Sequence, residues 1–312
     1  MARDADQVRT LFQRRRNAFN DRTALRLSHH EVIGELTIDY YAGYLLLTAY
    51  RDHDDTQLRR LGEHFTQQLM RLDQPVKGVI RKDRPDNLSH KQVDQEGVVL
   101  LGDRPPAKFE VSEGPCRYWV SFEDAGFGTG LFLDMYHGRQ YVRKIAADHP
   151  RVLNLFSYTG PFSIAAAVGG ATQVVEVDTS GKWLGWSQDN RELNQITDDT
   201  TVIRSRKNDA VKYVSKLDDA SFDLIVCDPP SYANPKRGKR FTVQSGYREM
   251  MPHFERVLDR HGIVLACCNH AQTAKDRFRS WFGGRLQFKQ WIDIPVDFAD
   301  ADYLKIGVFA KA

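Results

Sequence analysis

The stretch densest in chemistry is Phe222-Asp223-Leu224-Ile225-Val226-Cys227-Asp228-Pro229-Pro230-Ser231-Tyr232. An apolar, strand-like run ends on a carboxylate, and two prolines follow it. The prolines stiffen the loop and remove two N–H donors, so Asp228 and the neighbouring carbonyls point in fixed directions beside whatever lies past the strand. Such a tip suits a platform for a planar base, with Tyr232 placed to stack on it. A second tip, Ala266-Cys267-Cys268-Asn269-His270, offers a thiol. Strand neighbours face opposite ways, so if Cys268 faces the platform, Cys267 belongs to the core. A thiolate there could attack carbon-6 of a cytosine and make carbon-5 nucleophilic, while Asp228 steadies the ring nitrogen. The same two cysteines suit an inert role as small buried residues equally well.

Three more strand-ending segments precede these in order. Asn154-Leu155-Phe156-Ser157-Tyr158-Thr159-Gly160 runs straight into a helix, whose first turn offers unpaired N–H groups. Gly160 lets the chain turn tightly and come close to a ligand. Val174-Val175-Glu176-Val177 ends on Asp178, where a carboxylate can accept both hydroxyls of a ribose. Asp178 could instead cap the next helix with Thr179 or Ser180. Asp209, after the third strand, could accept from an adenine amino group or simply cap the helix from Ala210. Four tips in this order fit one cofactor, S-adenosylmethionine, which leaves as S-adenosylhomocysteine. A nicotinamide cofactor would want Gly-x-Gly-x-x-Gly at the first tip, and that spacing is missing.

The elements needed to hold such tips are legible. From Gly130 onward, strands (152–156, 174–178, 201–204, 224–228, 263–267) alternate with helices (134–147, 161–168, 182–193, 210–217, 247–259, 273–282), the pattern of a doubly wound α/β sheet. The last two strands, 287–294 and 303–310, have no long helix between them and read as an antiparallel hairpin closing the sheet. That hairpin separates a class I, Rossmann-like methyltransferase domain from fully parallel dinucleotide folds. Before Gly130 the texture is α+β: a charged helix to about Asn20, a meander (25–28, 36–40, 44–50), an amphipathic helix (56–72), a polar loop (82–96) and strands 98–101, 108–111 and 117–122. The expected domains are therefore 1–125, a glycine-rich linker 126–140 and a methyltransferase domain 141–312.

With 27% charged residues and no apolar run near the ~20 residues of a membrane span, the composition fits a globular, cytoplasmic protein. The cysteines lack zinc or disulfide-framework spacing, so reduced thiols and no metal are expected. A formal charge of +3 is too small to argue for nucleic acid, but its distribution is suggestive. Arg14-Arg15-Arg16 crowd the start, and Lys236-Arg237-Gly238-Lys239-Arg240 follows the Asp228-Pro229-Pro230 tip. Both could be plain solvated faces, or could hold RNA phosphates near the site.

Taken together, Thr129-Gly130-Leu131-Phe132-Leu133-Asp134, Asn154 to Gly160, Val177-Asp178-Thr179-Ser180 and Asp228-Pro229-Pro230-Ser231-Tyr232 resemble the bacterial large-subunit ribosomal RNA methyltransferases, from about Leu25 to the end. The resemblance implies a small α/β domain that helps hold RNA, ahead of the methyltransferase domain. It also implies that Phe132 and Asp134 line the cofactor pocket, Ser157 to Gly160 face the methionine part, Asp178 the ribose and Asp209 the adenine; Asp228 and Pro229 are further cofactor-binding candidates. The family includes cytosine carbon-5 and guanine nitrogen-7 enzymes. Carbon-5 members often carry a further N-terminal RNA-binding domain, not seen ahead of the α/β unit here. They also have Phe-Ser-Cys-Ser where this chain has Ala266-Cys267-Cys268-Asn269. Cys268 falls on the nucleophile's place, whereas Asn269 is more like the guanine type. RNA is thus the expected partner, with the chain as monomer or homodimer. Rival readings are an amino methyltransferase of DNA or protein, against which Ser231 intervenes before Tyr232, and a non-catalytic RNA-binding relative.

Overall fold

In a computed structural model, residues 2–84, 97–123, 128–233, 241–298 and 301–311 are described. Two compact units form. The first comprises Met1–Asp134 with Pro295–Ala299, and the second Met135–Ile294 with Asp300–Ala312. The division falls at Asp134/Met135, within the 126–140 stretch expected to link the two. A short segment of the C-terminal half also returns to the first unit.

The first unit opens with α1 (Ala2–Arg15). Strands β1 (Ala24–His29), β2 (Leu36–Tyr41) and β3 (Tyr44–Ala49) form the expected antiparallel meander. Helix α2 (Asp55–Met70) starts where Asp54 accepts a hydrogen bond from the Gln57 N–H, and it buries Leu58, Leu61, Phe65 and Leu69. Each such side chain contributes about 1.5–3 kcal/mol. The helix carries the chain to β4 (Gly78–Asp83), which pairs parallel to β3 and antiparallel to β5 (Val98–Gly102). The sheet order is thus β1-β2-β3-β4-β5. Strands β6 (Phe109–Glu113) and β7 (Cys116–Val120) form a separate hairpin. Sequence reading missed β4 because Arg81-Lys82-Asp83 looks like the start of a loop. In fact Lys82 is buried and donates to the Phe122 carbonyl, while Arg81 pairs with Asp55 and Asp83.

The returning segment is held by charge. Asp297 is fully buried; its carboxylate accepts from the Arg22 guanidinium at 2.8 Å and from the Arg26 N–H at 3.0 Å, and its carbonyl accepts from Arg15. A buried carboxylate requires such partners, and they lie around β1. Phe298 sits under the Arg26 guanidinium, 4.6 Å from its ring centre. Arg26 also clamps Asp39 through two hydrogen bonds and donates to His29 Nδ1 at 2.6 Å.

The second unit begins with α3 (Tyr136–Ile145) and builds a seven-stranded sheet. Its parallel strands are β8 (Arg151–Leu155), β9 (Gln173–Asp178), β10 (Val202–Lys207), β11 (Phe222–Cys227) and, after the short pair β12 (Tyr232–Ala233) and β13 (Phe241–Thr242), β14 (Leu258–Asn269). Strands β15 (Leu286–Ile292) and β16 (Leu304–Lys311) form the closing antiparallel hairpin. The order β10-β9-β8-β11-β14-β16-β15 reverses direction between β8 and β11. This is the class I methyltransferase sheet, and ligands bind such sheets at the carboxyl ends of the strands beside the reversal. Helices α3 and α4 (Pro161–Val168) pack on one face. On the other lie α6 (Ala210–Val214), α7 (Val243–Val257) and α8 (Lys275–Ser280). Helix α5 (Gly181–Leu193) joins β9 to β10. Helix α7 starts four residues before its expected Tyr247, because Thr242 and Ser245 cap it reciprocally.

His29 gives the first unit a pH dependence. Burial first, then Arg26, His30 and Arg15, push its pKa from 6.5 down to about 4. The folded chain therefore keeps His29 neutral where the unfolded chain takes up a proton, so stability falls as pH drops from 6.5 toward 4. Denaturation midpoints over that range should slope less for His29→Gln than for wild type. Equal slopes would remove His29 as the cause.

Candidate active site

The tips of β8 and β9 are tied together by one carboxylate. Asp178 Oδ2 accepts the Tyr158 N–H at 3.0 Å, and Oδ1 accepts the Ser180 N–H at 2.8 Å. Burial raises its pKa, and the N–H groups of Ser180, Tyr158 and Thr179 oppose that rise. The Ser157 N–H donates to the Val177 carbonyl at 3.0 Å, and the Gly160 N–H closes a tight turn onto Ser157. The loop is bent sharply: Phe156 and Tyr158 have φ of 60° and 52°, in the left-handed region that costs most side chains about 1 kcal/mol or more.

Gly160, at φ 78°, is needed here for a second reason as well. A Cβ at this point would overlap the Ser187 hydroxyl of α5 and crowd Glu176. Glu176 is fully buried on β9 and accepts hydrogen bonds from Ser187 at 2.8 Å and Ser205 at 2.6 Å. Asn190 donates to the Thr159 carbonyl at 2.9 Å, and the Tyr158 ring packs edge-on against Trp183. The close approach made by Gly160 is therefore to α5. Asn154 is spent similarly: buried, it donates to the Ser163 hydroxyl at 2.9 Å and fixes the start of α4.

One polar group in the loop is left without a partner. Ser157 Oγ is buried and has no hydrogen-bond partner among the described residues. An unmade buried hydrogen bond costs about 1–3 kcal/mol, so a polar ligand group there would be welcome. Together with Asp178, whose carboxylate is tied to the same loop, these are the groups that could hold the amino-acid and ribose ends of S-adenosylmethionine. Asp209 is exposed and caps α6, accepting the Lys212 N–H at 3.0 Å, so one of its oxygens is engaged locally.

Across the reversal, Asp228 is partly buried, Pro229 buried and Pro230 exposed. Behind them stands Tyr247, wholly buried on α7. Its hydroxyl lies 2.9 Å from the Cys227 carbonyl and 2.8 Å from the Cys267 carbonyl. One proton thus serves the two carbonyls that immediately precede Asp228 and Cys268. Cys268 and Cys267 face opposite sides of the sheet, and both are fully buried. Burial pushes the Cys268 thiol up to about 11, and the Asp228 carboxylate adds to the rise. Lys305 opposes it from the facing position on β16. The Lys305 ammonium, its own pKa lowered by burial, donates to the His270 carbonyl at 3.0 Å.

The remaining expected residues fall elsewhere. Phe132, half exposed, and Asp134 belong to the first unit. Arg14 and Arg16 are exposed, but Arg15 must leave the RNA-facing set. It is buried, with its guanidinium on the Leu27 and Asp297 carbonyls and on Glu31. Tyr232 has its backbone in the β12–β13 pair, while its side chain lies outside the described residues, as do Lys236, Arg237, Lys239 and Arg240. Sequence reasoning missed Tyr247, Lys305 and Glu176. A lysine between Leu304 and Ile306 in an apolar strand, and a glutamate amid valines in β9, were the available signals.

Comparison with known proteins bears on the same tips. Residues 24–308 match a family model described as S-adenosylmethionine-dependent methyltransferase. The chain belongs to that family. Among relatives of the methyltransferase is YwbD of Bacillus subtilis, named as a candidate ribosomal RNA large subunit methyltransferase. It is 29% identical over 308 residues, covering 93% of this chain and 75% of YwbD. The ribosomal RNA large subunit methyltransferase K/L of Pseudoalteromonas translucida is 41% identical over 255 residues, 79% of this chain. The chain spans only 34% of that relative's length. The crystal structure of SMU.776, a candidate methyltransferase complexed with SAH, superposes with a TM-score of 0.81 at 25% identity, covering 99% of this chain and 81% of that one. Among the described residues, no helix of the methyltransferase is long and apolar enough to cross a membrane, and no cluster of His, Cys, Asp and Glu could hold a metal ion.

Two substitutions test the tip geometry by chemical denaturation. Gly160→Ala should lower stability by about 1–3 kcal/mol through overlap with Ser187, and an unchanged midpoint would contradict that overlap. Tyr247→Phe should lose about 1–3 kcal/mol by orphaning carbonyls at both strand ends. A neutral effect would mean the hydroxyl does not hold them.

Proposed function

We propose that this methyltransferase acts on a base of large-subunit ribosomal RNA, and that the acceptor is guanine nitrogen-7. Support for RNA comes from the relatives, whose names specify that substrate. The choice of acceptor rests on one observation: Cys268 is buried away from solvent, with its thiol held near 11. Methylation at cytosine carbon-5 needs a thiolate that reaches carbon-6, followed by loss of the carbon-5 proton. Guanine nitrogen-7 needs neither, because its lone pair is already nucleophilic and carries no proton.

S-adenosylmethionine, when bound, supplies a methyl group made electrophilic by its sulfonium. The Ser157–Gly160 loop would hold the methionine portion, with Ser157 Oγ gaining the partner it lacks. Asp178 would take the ribose hydroxyls with lone pairs left over from Tyr158 and Ser180, and Asp209 would lie beside the adenine. In the acceptor half, the guanine must first leave its stack, at a cost of a few kcal/mol. Asp228 would then accept from the N1–H and amino edge, with Tyr232 stacking on the ring. Transfer of the methyl to N7, with loss of its bond to sulfur, would leave positive charge on the guanine ring. A carboxylate on that ring's far edge stabilises the charge where it develops. Tyr247 keeps Asp228 in place through the Cys227 carbonyl. Phosphates flanking the base would meet the Lys236, Arg237, Lys239 and Arg240 run that follows the Asp228 tip in sequence.

The test is product mapping. Ribosomal RNA incubated with labelled S-adenosylmethionine should yield 7-methylguanosine, detectable by chain cleavage after borohydride and aniline. Cys268→Ala should retain that product, and Asp228→Asn should lower kcat by about a hundredfold. Finding 5-methylcytidine that disappears in Cys268→Ala would overturn the nitrogen-7 reading in favour of the thiol mechanism.

A further inference from the structure

We propose that the outer edge of the seven-stranded sheet, where α8 lies against β15, is a track that binds a single-stranded segment of the RNA substrate and leads it to the tips of β14 and β11. The inference rests on the RNA reading above and adds a surface to it. Along this edge Lys275, Arg277, Arg279 and Lys289 are all exposed. Among the described residues none of them is in a salt bridge, whereas nearby Arg285 is taken by Glu255 at 2.8 Å. The only acid within α8 is Asp276.

Two of these cations lie over aromatic rings. The Arg279 guanidinium lies 4.6 Å from the centre of the Phe288 ring, and Lys275 Nζ lies 5.7 Å from that of Trp291. The two rings stand 4.9 Å apart, tilted by 49°. Their inner edges pack on the core, and each remains partly exposed. A surface built only to cover the core would not need a cation over each ring.

The row also has a direction. β15 and β14 both run antiparallel to β16, so they run the same way. Phe288 is level with Phe309 and Val264, deep in the sheet, and Trp291 is level with Gly307 and Ala266, near its tip. Lys275, beside Trp291, lies close enough to Lys305 to disfavour its charge, and Lys305 faces Cys268. The row therefore climbs from Arg279 and Phe288, through Lys275 and Trp291, to the ends of β14 and β11 where Asp228 stands. Lys275 and Arg279, four residues apart on α8, each lie over a ring of β15, and cations beside rings match a chain of phosphates whose bases each present a π face. An acidic protein segment would satisfy the cations and leave the rings without a purpose.

Fluorescence anisotropy with a labelled single-stranded oligouridylate, over a range of salt, tests the track. Every variant is first checked for S-adenosylhomocysteine binding by calorimetry, which should match wild type. The quadruple variant Lys275→Glu, Arg277→Glu, Arg279→Glu, Lys289→Glu should bind the probe more weakly. The slope of log K against log salt should shrink by about 0.7 for each phosphate that is no longer neutralised. Trp291→Leu should weaken binding about tenfold with little change in slope, and Trp291→Phe should restore most of it. If wild type binds and methylates RNA while both variants keep its affinity and slope, the track is overturned and the proposed function stands. If wild type neither binds the probe nor methylates ribosomal RNA, the proposed function falls and the track falls with it.

Discussion

The Asp178 carboxylate reaches back from the end of β9 to the N–H of Tyr158, past the end of β8, and forward to the N–H of Ser180, at the start of α5. Everything proposed for the cofactor depends on this tie. It holds a loop that two left-handed residues would otherwise disfavour, and Ser157 Oγ is left buried without a hydrogen-bond partner among the described residues. Hydrogen bonds to a charged acceptor contribute about 1.5–3 kcal/mol each, enough to offset two such backbone bends. The buried Glu176 repeats the device one layer deeper, joining Ser187 of α5 to Ser205 of β10. The loop after β8 is thus held by side-chain hydrogen bonds whose partners lie on different elements.

Much of this was legible in the sequence, and the rest was hidden for identifiable reasons. Alternating apolar runs and helical periods gave the second unit's strand sequence, and the gap between the last two strands disclosed the hairpin. Asp178, Asp228 and Gly160 stood at strand ends where topology makes residues matter. The reason for Gly160 differed, since its approach to Ser187 is a pairing across about thirty positions that no local pattern encodes. β4 was missed because the inward-facing Lys82 breaks the polar alternation that marks a half-buried strand. Arg15 looked like one of three equivalent basic residues, yet helical spacing turns it inward while Arg14 and Arg16 face water. Asp297 gave no signal in the sequence, because its partners, Arg22 and Arg26, lie some 270 residues earlier.

The two cysteines show why residue type alone does not assign chemistry. Reactive thiols sit where a positive field and solvent access favour the thiolate. Lys305 supplies some of that field at Cys268, but burial and the Asp228 carboxylate outweigh it. Asp228 therefore works against a thiolate next door while suiting an acceptor that gains positive charge. That contrast is what favours guanine in the function proposed above.

Calorimetric titration of S-adenosylhomocysteine into wild type and Asp178→Asn tests the central claim most directly. Replacing the carboxylate keeps its shape, removes the charge that holds the Tyr158 and Ser180 N–H groups, and puts a donor where one of them points. The account expects one site per wild-type chain and an affinity at least about tenfold weaker in a variant that still unfolds cooperatively. Equal affinity in the two proteins, or no binding to wild type, would contradict it.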